Sequence, residues 1–301
     1  MQKFRILLAT ALVALTSATS PVLAREATPA AADFSVGPQY DTTHVYVPVA
    51  DFDRFVQSFA ATFDGKANPG GTFQVTPTPS KTRSQLVITP VGTVSVFGFV
   101  TPVPYPFGEE RVGYLVKDMD GAVAAARKAG AIRVVNSFPD PIGRDTLVQW
   151  PGGSVMQLYW HTQAPNYPAA TTVPESRIYL TEDAADSYVV SWKRFAHATV
   201  VSDDRSAPGE EIGQPGKAYR RIRLSSGYGK TTLIVTDGAL TWPYGRELTG
   251  YEVADLDGTL AKAKESGVTV LVQPYSASGR RAAMLQFPGG YIAEVHSGAE
   301  R

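Results

Sequence analysis

Alternating and helical patterns of apolar residues follow one another in a fixed order along this chain. Residues 44–49 alternate and are rich in β-branched side chains, which predicts a strand. Phe52, Phe55, Phe59 and Phe63 then recur at helical spacing, which predicts a helix with one buried stripe. The three strand-like runs that follow span 72–78, 84–89 and 93–101. The first unit is therefore predicted to have the order β-α-β-β-β.

The same order is predicted three more times, over residues 111–159, 177–236 and 248–296. In the third unit, residues 203–217 are charged and contain Gly and Pro, so we interpret them as a long surface loop. An aspartate stands where three of the predicted helices begin, and we expect each to cap its helix. These residues are Asp51, Asp118 and Asp255.

Units two and four are related by sequence as well as by layout. The stretch from Tyr114 to Gly121 returns further along the chain, from Tyr251 to Gly258. The offset that carries Tyr114 to Tyr251 also carries Pro-Gly-Gly from 151–153 to 288–290. Chance does not hold one register over about fifty residues, so this is an internal duplication. Units one and three match only in layout, and the chain is therefore one pair of units, duplicated.

The full chain of 301 residues has an ordinary globular composition, 44% hydrophobic and 19% charged, but its N-terminus has a pattern of its own. Lys3 and Arg5 precede an apolar run that is too short to span a bilayer comfortably, and small residues lead up to Ala24. We interpret residues 1–24 as a cleaved signal peptide and 25–39 as a flexible tether, which predicts a periplasmic or secreted protein. The alternative is an uncleaved anchor or a buried helix.

Charge and cysteine content narrow the classes of partner. Removing residues 1–24 would take away two of the 28 basic residues and no acidic one, leaving 26 basic against 28 acidic residues. This balance predicts no nucleic-acid partner and no membrane binding by the mature form. The chain has no cysteine, which excludes disulfides, thiolate nucleophiles and Cys-type zinc sites.

The paired units resemble the vicinal-oxygen-chelate superfamily, which contains glyoxalases, bleomycin-resistance proteins and extradiol dioxygenases. The resemblance is carried by Val-x-Asp-x-Asp at 116–120 and 253–257, by the Gly that closes each of these helices, and by Pro-Gly-Gly before the last strand. It implies an α+β fold with domains at 40–161 and 176–298 and a linker at 162–175. Each domain would be two paired β-α-β-β-β units that form a half-open barrel around a cavity.

Metal-using members of this family take ligands from the opening and closing strands of the units. The matching positions here are His44, Arg111 and Gln157 in the first domain, and Arg177, Leu248 and Glu294 in the second. A zinc- or iron-type ion needs about three or four protein ligands, and arginine cannot be one of them. We therefore expect no metal of the usual kind and no cofactor, with arginine supplying the positive charge in each cavity.

Several roles remain open for these residues. Glu294 and His296 point to the same side of a strand, and Glu294 is either an ion-pair partner of Arg177, a general base or a metal ligand. His44 is either a general base or a hydrogen-bonded strand histidine. Arg111 either holds a carboxylate or phosphate of a ligand or pairs with Glu109 or Glu110.

Three functions are compatible with this pattern. The first is an exported glyoxalase-like protein that binds a small organic molecule in metal-free cavities. The second is a lyase or isomerase that acts on a small carbonyl or sugar-like substrate, with Glu294 or His44 as general base. The third is an interaction scaffold with filled cavities, and an open polar cavity would argue against it. The predicted ligand-binding residues are Arg111, Gln157, Tyr159, Arg177 and His296.

Overall fold

The computed structural model describes residues 39–298. The predicted signal peptide, and the predicted tether up to residue 38, lie outside the described residues. None of the helices described between residues 39 and 298 is long and apolar enough to cross a membrane.

The first sheet contains the first two units, and its strand order is β2-β4-β5-β1-β6-β9-β8-β7, with β3 paired to β4. The strands are β1 (Thr43–Tyr46), β2 (Lys66–Ala67), β3 (Gly71–Phe73), β4 (Thr82–Thr89), β5 (Gly92–Phe99), β6 (Arg111–Leu115), β7 (Ile132–Asp140), β8 (Gly143–Gln149) and β9 (Val155–His161). The helices are α1 (Phe52–Thr62) and α2 (Met119–Lys128).

The second sheet contains the other two units, in the order β11-β12-β13-β10-β14-β17-β16-β15. Its strands are β10 (Glu175–Leu180), β11 (Thr199–Pro208), β12 (Ala218–Ser226), β13 (Gly229–Val235), β14 (Thr249–Glu252), β15 (Thr269–Ala277), β16 (Arg280–Gln286) and β17 (Ile292–Ser297). The helices are α3 (Glu182–Ala196) and α4 (Leu256–Glu265).

In each sheet the opening strands of two units pair antiparallel at the centre, β1 with β6 and β10 with β14. Each opening strand also pairs parallel with the closing strand of its own unit, as β1 does with β5 and β14 with β17. This arrangement confirms the predicted α+β fold of two tandem domains built from paired β-α-β-β-β units.

The helices of the two domains share their cores. Helices α2 and α3 contribute to one apolar cluster, and α1 and α4 contribute to the other. The largest buried rings of the first cluster are Tyr114, Trp150, Tyr188, Trp192 and Tyr228, and those of the second are Phe52, Phe55, Phe59, Tyr251 and Phe287. Each domain therefore completes the core of the other.

Two predicted elements differ from the structure. The strand expected at 72–78 ends at Phe73, because Pro77 and Pro79 carry no N–H and the Thr76 hydroxyl donates to the carbonyl of Thr78 at 3.0 Å. The loop expected at 203–217 begins as a strand, because β11 continues to Pro208 and is followed by a 3-10 turn, Gly209–Ile212. The charged residues there belong to cross-strand pairs, since Asp203 binds Arg220 through both oxygens at 2.8 and 2.9 Å.

The predicted helix caps are confirmed in two of three cases. Asp118 accepts a hydrogen bond from the backbone N–H of Asp120, and Asp255 accepts one from Gly258. The prediction that Asp51 caps α1 is wrong. A 3-10 turn precedes the helix, and the carboxylate of Asp51 binds Arg54 instead.

We expect Trp192→Ala to lower the free energy of unfolding by about 3–5 kcal/mol, because the ring is fully buried between α3 and the neighbouring domain. Val190→Ala on the same helix is the matched control. Its side chain is 45% exposed, and we expect a change within about 0.5 kcal/mol. Urea unfolding measures both values, and equal losses would contradict the shared core.

Candidate functional site

The second sheet buries a network of charged side chains on the face opposite its helices, α3 and α4. Alternation along β10 places Ile178 and Leu180 in the core and turns Arg177 to the other face. The guanidinium of Arg177 reaches Glu175 at 3.3 Å and Glu247 at 3.5 Å. Each of these charged groups is buried, so each needs a partner of opposite charge.

The network extends to the last two strands of the domain, β16 and β17. Arg280 donates to the second oxygen of Glu175 at 3.0 Å and also contacts Nε2 of His296. Nδ1 of His296 lies 2.7 Å from a carboxylate oxygen of Glu294. Arg221 pairs with Glu211 at the rim. The space left among these side chains is about 20 Å³, which is room for about one water molecule.

The charges of this network determine the ionisation of its carboxyl groups. Burial alone would raise the pKa of Glu175, but the positive charges of Arg280 and Arg177 lower it to about 2. Burial also opposes ionisation of Glu294, yet the neighbouring His296 and Arg177 lower its pKa. Glu294 is therefore an ionised and enclosed carboxylate with no room for a substrate, which is a poor setting for a general base.

Gly113 on β6 and Gly250 on β14 occupy equivalent positions in the two domains. Gly250 is opposite Glu294, and a Cβ on it would lie 2.7 Å from a carboxylate oxygen of Glu294. Gly113 is opposite Gln157, and a Cβ on it would lie 2.7 Å from Cε1 of His44. The neighbouring side chains therefore fill the space into which a third ligand would project.

The family's metal centre does not fit these residues. Arg177 stands at one of the expected positions, and Gly113 and Gly250 leave no side chain at the point where three would converge. Between residues 39 and 298, no group of three or more His, Cys, Asp or Glu side chains is arranged to hold a metal ion.

The first sheet encloses an open cavity of about 300 Å³. Alternation along β1 places Val45 and Val47 in the core and turns His44 and Tyr46 into the cavity. The lining also contains Gln157 and Tyr159. The titratable acids and histidines of the lining are Asp41, Asp140, Asp145, His44 and His161. No Lys or Arg of the described chain lines this cavity.

Asp41 and His44 form a buried pair at the cavity wall. Nε2 of His44 lies 2.9 Å from Oδ2 of Asp41, and the hydroxyl of Ser95 donates to the same oxygen at 2.6 Å. Burial would raise the pKa of Asp41, but these hydrogen bonds and the charge of His44 lower it. An ionised Asp41 accepts the Nε2 proton, and in the neutral imidazole this leaves Nδ1 of His44 as an acceptor. Nδ1 is buried and has no hydrogen-bond partner among the described residues.

The pKa values of Asp145 and Asp140 are raised, in contrast to that of Asp41. Gln157 donates to Asp145 at 2.8 Å, but burial and the charges of Asp140 and Asp41 raise the pKa of Asp145 well above its usual value. Burial, with a smaller effect from Asp41, raises the pKa of Asp140 to about 6. The cavity thus contains one carboxyl group held ionised and two whose ionisation is opposed.

Arg111 is beside this cavity without lining it. It is the cross-strand neighbour of His44, as the sequence pattern indicated. Its guanidinium lies over the rings of Phe107 and Tyr46, 5.3 and 5.5 Å from their centroids, and donates to the carbonyl of Pro106 at 2.9 Å. It forms no ion pair with Glu109 or Glu110 in the described structure, and Glu110 instead accepts from Thr249.

Sequence reasoning missed the three aspartates of the first cavity. A comparison of the two repeats position by position could have found two of them. At the offset that carries Tyr114 to Tyr251, Asp140 and Asp145 correspond to Ala277 and Ala282. The repeats therefore differ where their side chains face the cavities. Asp41 has a weaker signal, its position three residues before His44.

Solved structures with similar folds are known. A mutant of 4-hydroxymandelate synthase from Streptomyces coelicolor has a TM-score of 0.59 and 16% identity, covering 87% of this chain and 94% of that one. The 2,3-dioxygenase LapB from Pseudomonas sp. KL28 has a TM-score of 0.55 and 10% identity, covering 87% and 93%. The Mn(II)-bound glyoxalase from Novosphingobium aromaticivorans has a TM-score of 0.50 and 14% identity, covering 86% and 82%.

These structures confirm the fold that the sequence resemblance implied. At such low identities the likeness concerns the fold alone. No protein-family model matches the sequence, and no curated protein matches it significantly.

We expect Glu175→Gln to lower the free energy of unfolding by about 3–5 kcal/mol at neutral pH, because it leaves two buried guanidinium groups undercompensated. Glu265→Gln, an exposed substitution of the same type on α4, is the control and should have little effect. Urea unfolding of both variants and the wild type gives the comparison.

The pH dependence of this loss checks its cause. The pKa of Glu175 is depressed in the folded protein, so its stabilisation is complete above the ordinary value of 4.5 and disappears as the pH falls toward 2. The difference between wild type and Glu175→Gln should therefore shrink over that interval. A difference independent of pH would mean that the lost stability is not electrostatic.

Proposed function

We propose that this protein, which has the vicinal-oxygen-chelate fold, binds a small polar organic molecule in the cavity of its first domain. The observation that carries the proposal is the contrast between two related cavities, one of about 300 Å³ and one of about 20 Å³. The first has the size and the convergent polar groups of a small-molecule site. The second is filled by its own side chains.

In this proposal the second domain is a structural copy. Its helices α3 and α4 bury the apolar faces of α2 and α1, so the first domain needs it to complete both cores. Arg177 and His296, which the sequence placed at a ligand site, would serve this structural role. Gln157, Tyr159 and His44 would contact the ligand, while Arg111 would support Tyr46 from behind the wall.

Export belongs to the same proposal. The basic head, the short apolar run and the small residues before Ala24 support cleavage there and a periplasmic or secreted location. N-terminal sequencing of the protein recovered from its native host should begin at Arg25. An intact Met1 on the mature protein would rule out cleavage.

A second candidate function is a lyase or isomerase with His44 as general base. The buried pair of Asp41 and His44 favours it, since Asp41 would stabilise the imidazolium that forms when Nδ1 takes a proton. The electron pair released from a carbon next to a carbonyl would move onto the carbonyl oxygen. A protonated Asp145, rather than Arg111, could donate a hydrogen bond to that oxygen.

The binding proposal is tested by mass spectrometry of small molecules that co-purify with the full chain. Leu86→Trp places an indole at a half-buried position of the cavity wall and should remove the bound molecule. Val190→Trp on the outer surface of α3 is the control and should retain it. Retention by Leu86→Trp would exclude this cavity as the binding site.

The co-purified molecule can also be used to distinguish a binding protein from a lyase or isomerase. Incubated with the protein in D2O, it should gain deuterium at one carbon if His44 abstracts a proton, and His44→Gln should abolish this exchange. Exchange that persists in His44→Gln would remove His44 from that role, while binding without exchange would leave the protein a binding protein.

A further inference from the structure

The two cavities differ most in positive charge. In the second, the carboxylates of Glu175 and Glu247 contact Arg177, and Glu211 contacts Arg221. In the first, the carboxyl groups of Asp41, Asp140 and Asp145 line a cavity to which no described Lys or Arg contributes. The filled copy therefore indicates which chemical group is missing from the open one.

Strand register identifies the positions at which the charge is lost. Arg177 is paired with Thr232 on its parallel neighbour, as His44 is paired with Ser95. The register can be followed from β13 to β12 in the second sheet and from β5 to β4 in the first. Arg221 and Ser84 then occupy equivalent positions. The repeat offset places Arg280 at Gly143. Three guanidinium groups of the second cavity thus correspond to His44, Ser84 and Gly143 in the first.

The groups that line the first cavity include carboxyl acceptors, aromatic faces and neutral polar side chains such as Asn68, Gln85 and Asn166. Nδ1 of His44 is an acceptor without a partner among the described residues, on a side chain that is only 3% exposed. It can accept a hydrogen bond from a ligand that carries an N–H or O–H. The rings that line the cavity are Tyr46, Phe73, Phe97, Tyr159 and Tyr167. Aromatic faces beside carboxylates attract organic cations, through the ring quadrupole as well as through charge.

We infer that the molecule bound in the first cavity is an organic cation, an amine or guanidine in its protonated form. Its N–H groups donate to Nδ1 of His44 and to the carboxyl groups of Asp140 and Asp145, which lose their protons when the cation binds. It occupies the space that Arg177, Arg221 and Arg280 fill in the second domain. This inference rests on the proposed function, since it assumes that the cavity binds a small molecule.

Two sets of matched probes test the sign of the charge by isothermal titration calorimetry on the full chain. One set is glucosamine, glucose and glucuronate, and the other is 2-phenylethylamine, 2-phenylethanol and phenylacetate. We expect the amine of at least one set to bind about tenfold or more tightly than its neutral and anionic partners. A neutral or anionic member that binds as tightly as the amine would overturn the inference and leave the proposed function standing.

Variants then place the cation in this cavity. Ser84→Arg introduces the guanidinium of the second domain and should weaken amine binding by about tenfold or more, while Ser84→Met adds similar bulk without charge and should weaken it by about threefold or less. Asp140→Asn should weaken it too, and the exposed Glu265→Gln should not. Equal effects of the two Ser84 variants would contradict a charge-based site.

Two further outcomes count against the inference. Failure of both amines to bind at millimolar concentration would overturn it. If no probe binds and Leu86→Trp loses no co-purified molecule, the proposed function fails as well. A stoichiometric divalent metal ion, detected in the same purified protein by elemental analysis and competing with the amine, would replace the organic cation.

Discussion

A charge inside a half-barrel must be compensated, and this requirement separates the two halves of the molecule. Removing a carboxylate from water without a partner costs several kcal/mol. The second domain meets the requirement for Glu175, which Arg177 and Arg280 both reach, although burial still raises the pKa of Glu247 beside Arg177. The first domain meets it only for Asp41, which is bound by His44 and Ser95. Asp140 and Asp145 respond with raised pKa values instead.

This difference has a structural basis in the way the cores are shared. Because α3 packs with α2, and α4 with α1, the second domain contributes to the stability of the first whatever its own barrel contains. A filled barrel is compatible with that contribution, since the ion network lies on the opposite face of the sheet. The face of the sheet toward the helices determines the fold, and the face away from them is free to differ between the domains.

The fold could be predicted because its signals are local or periodic. Apolar spacing located the helices, and the constant offset that relates Tyr114 to Tyr251 identified the duplication. Elements with mixed signals were harder. The charged residues from 203 onward indicated a loop, whereas Asp203 pairs with Arg220 across two strands.

The sequence predicted Arg111 as a ligand-binding residue of the first cavity. It is the cross-strand neighbour of His44, but the direction of its guanidinium depends on Phe107 and Tyr46, which no spacing rule connects to it. Glu175 stands two residues before Arg177 on one strand, where alternation places both side chains on the same side, but Glu247 comes from a separate segment that the sequence could not connect to Arg177. Gly113 and Gly250 decide where a third side chain is missing, yet their effect depends on contacts with His44 and Glu294 that only the folded sheet creates.

The segment between the two sheets has a consequence for how this protein could diversify. Asn166 and Tyr167, which belong to it, form part of the cavity lining, and Tyr167 packs edge-on against Tyr40 at 5.7 Å. Ala170 is tied to Gln39 by a backbone hydrogen bond of 2.8 Å. The cavity wall is thus formed in part by a connector outside both sheets. Substitutions there would alter which molecules fit while the pairing of the strands stays intact, so selectivity and foldability can evolve separately.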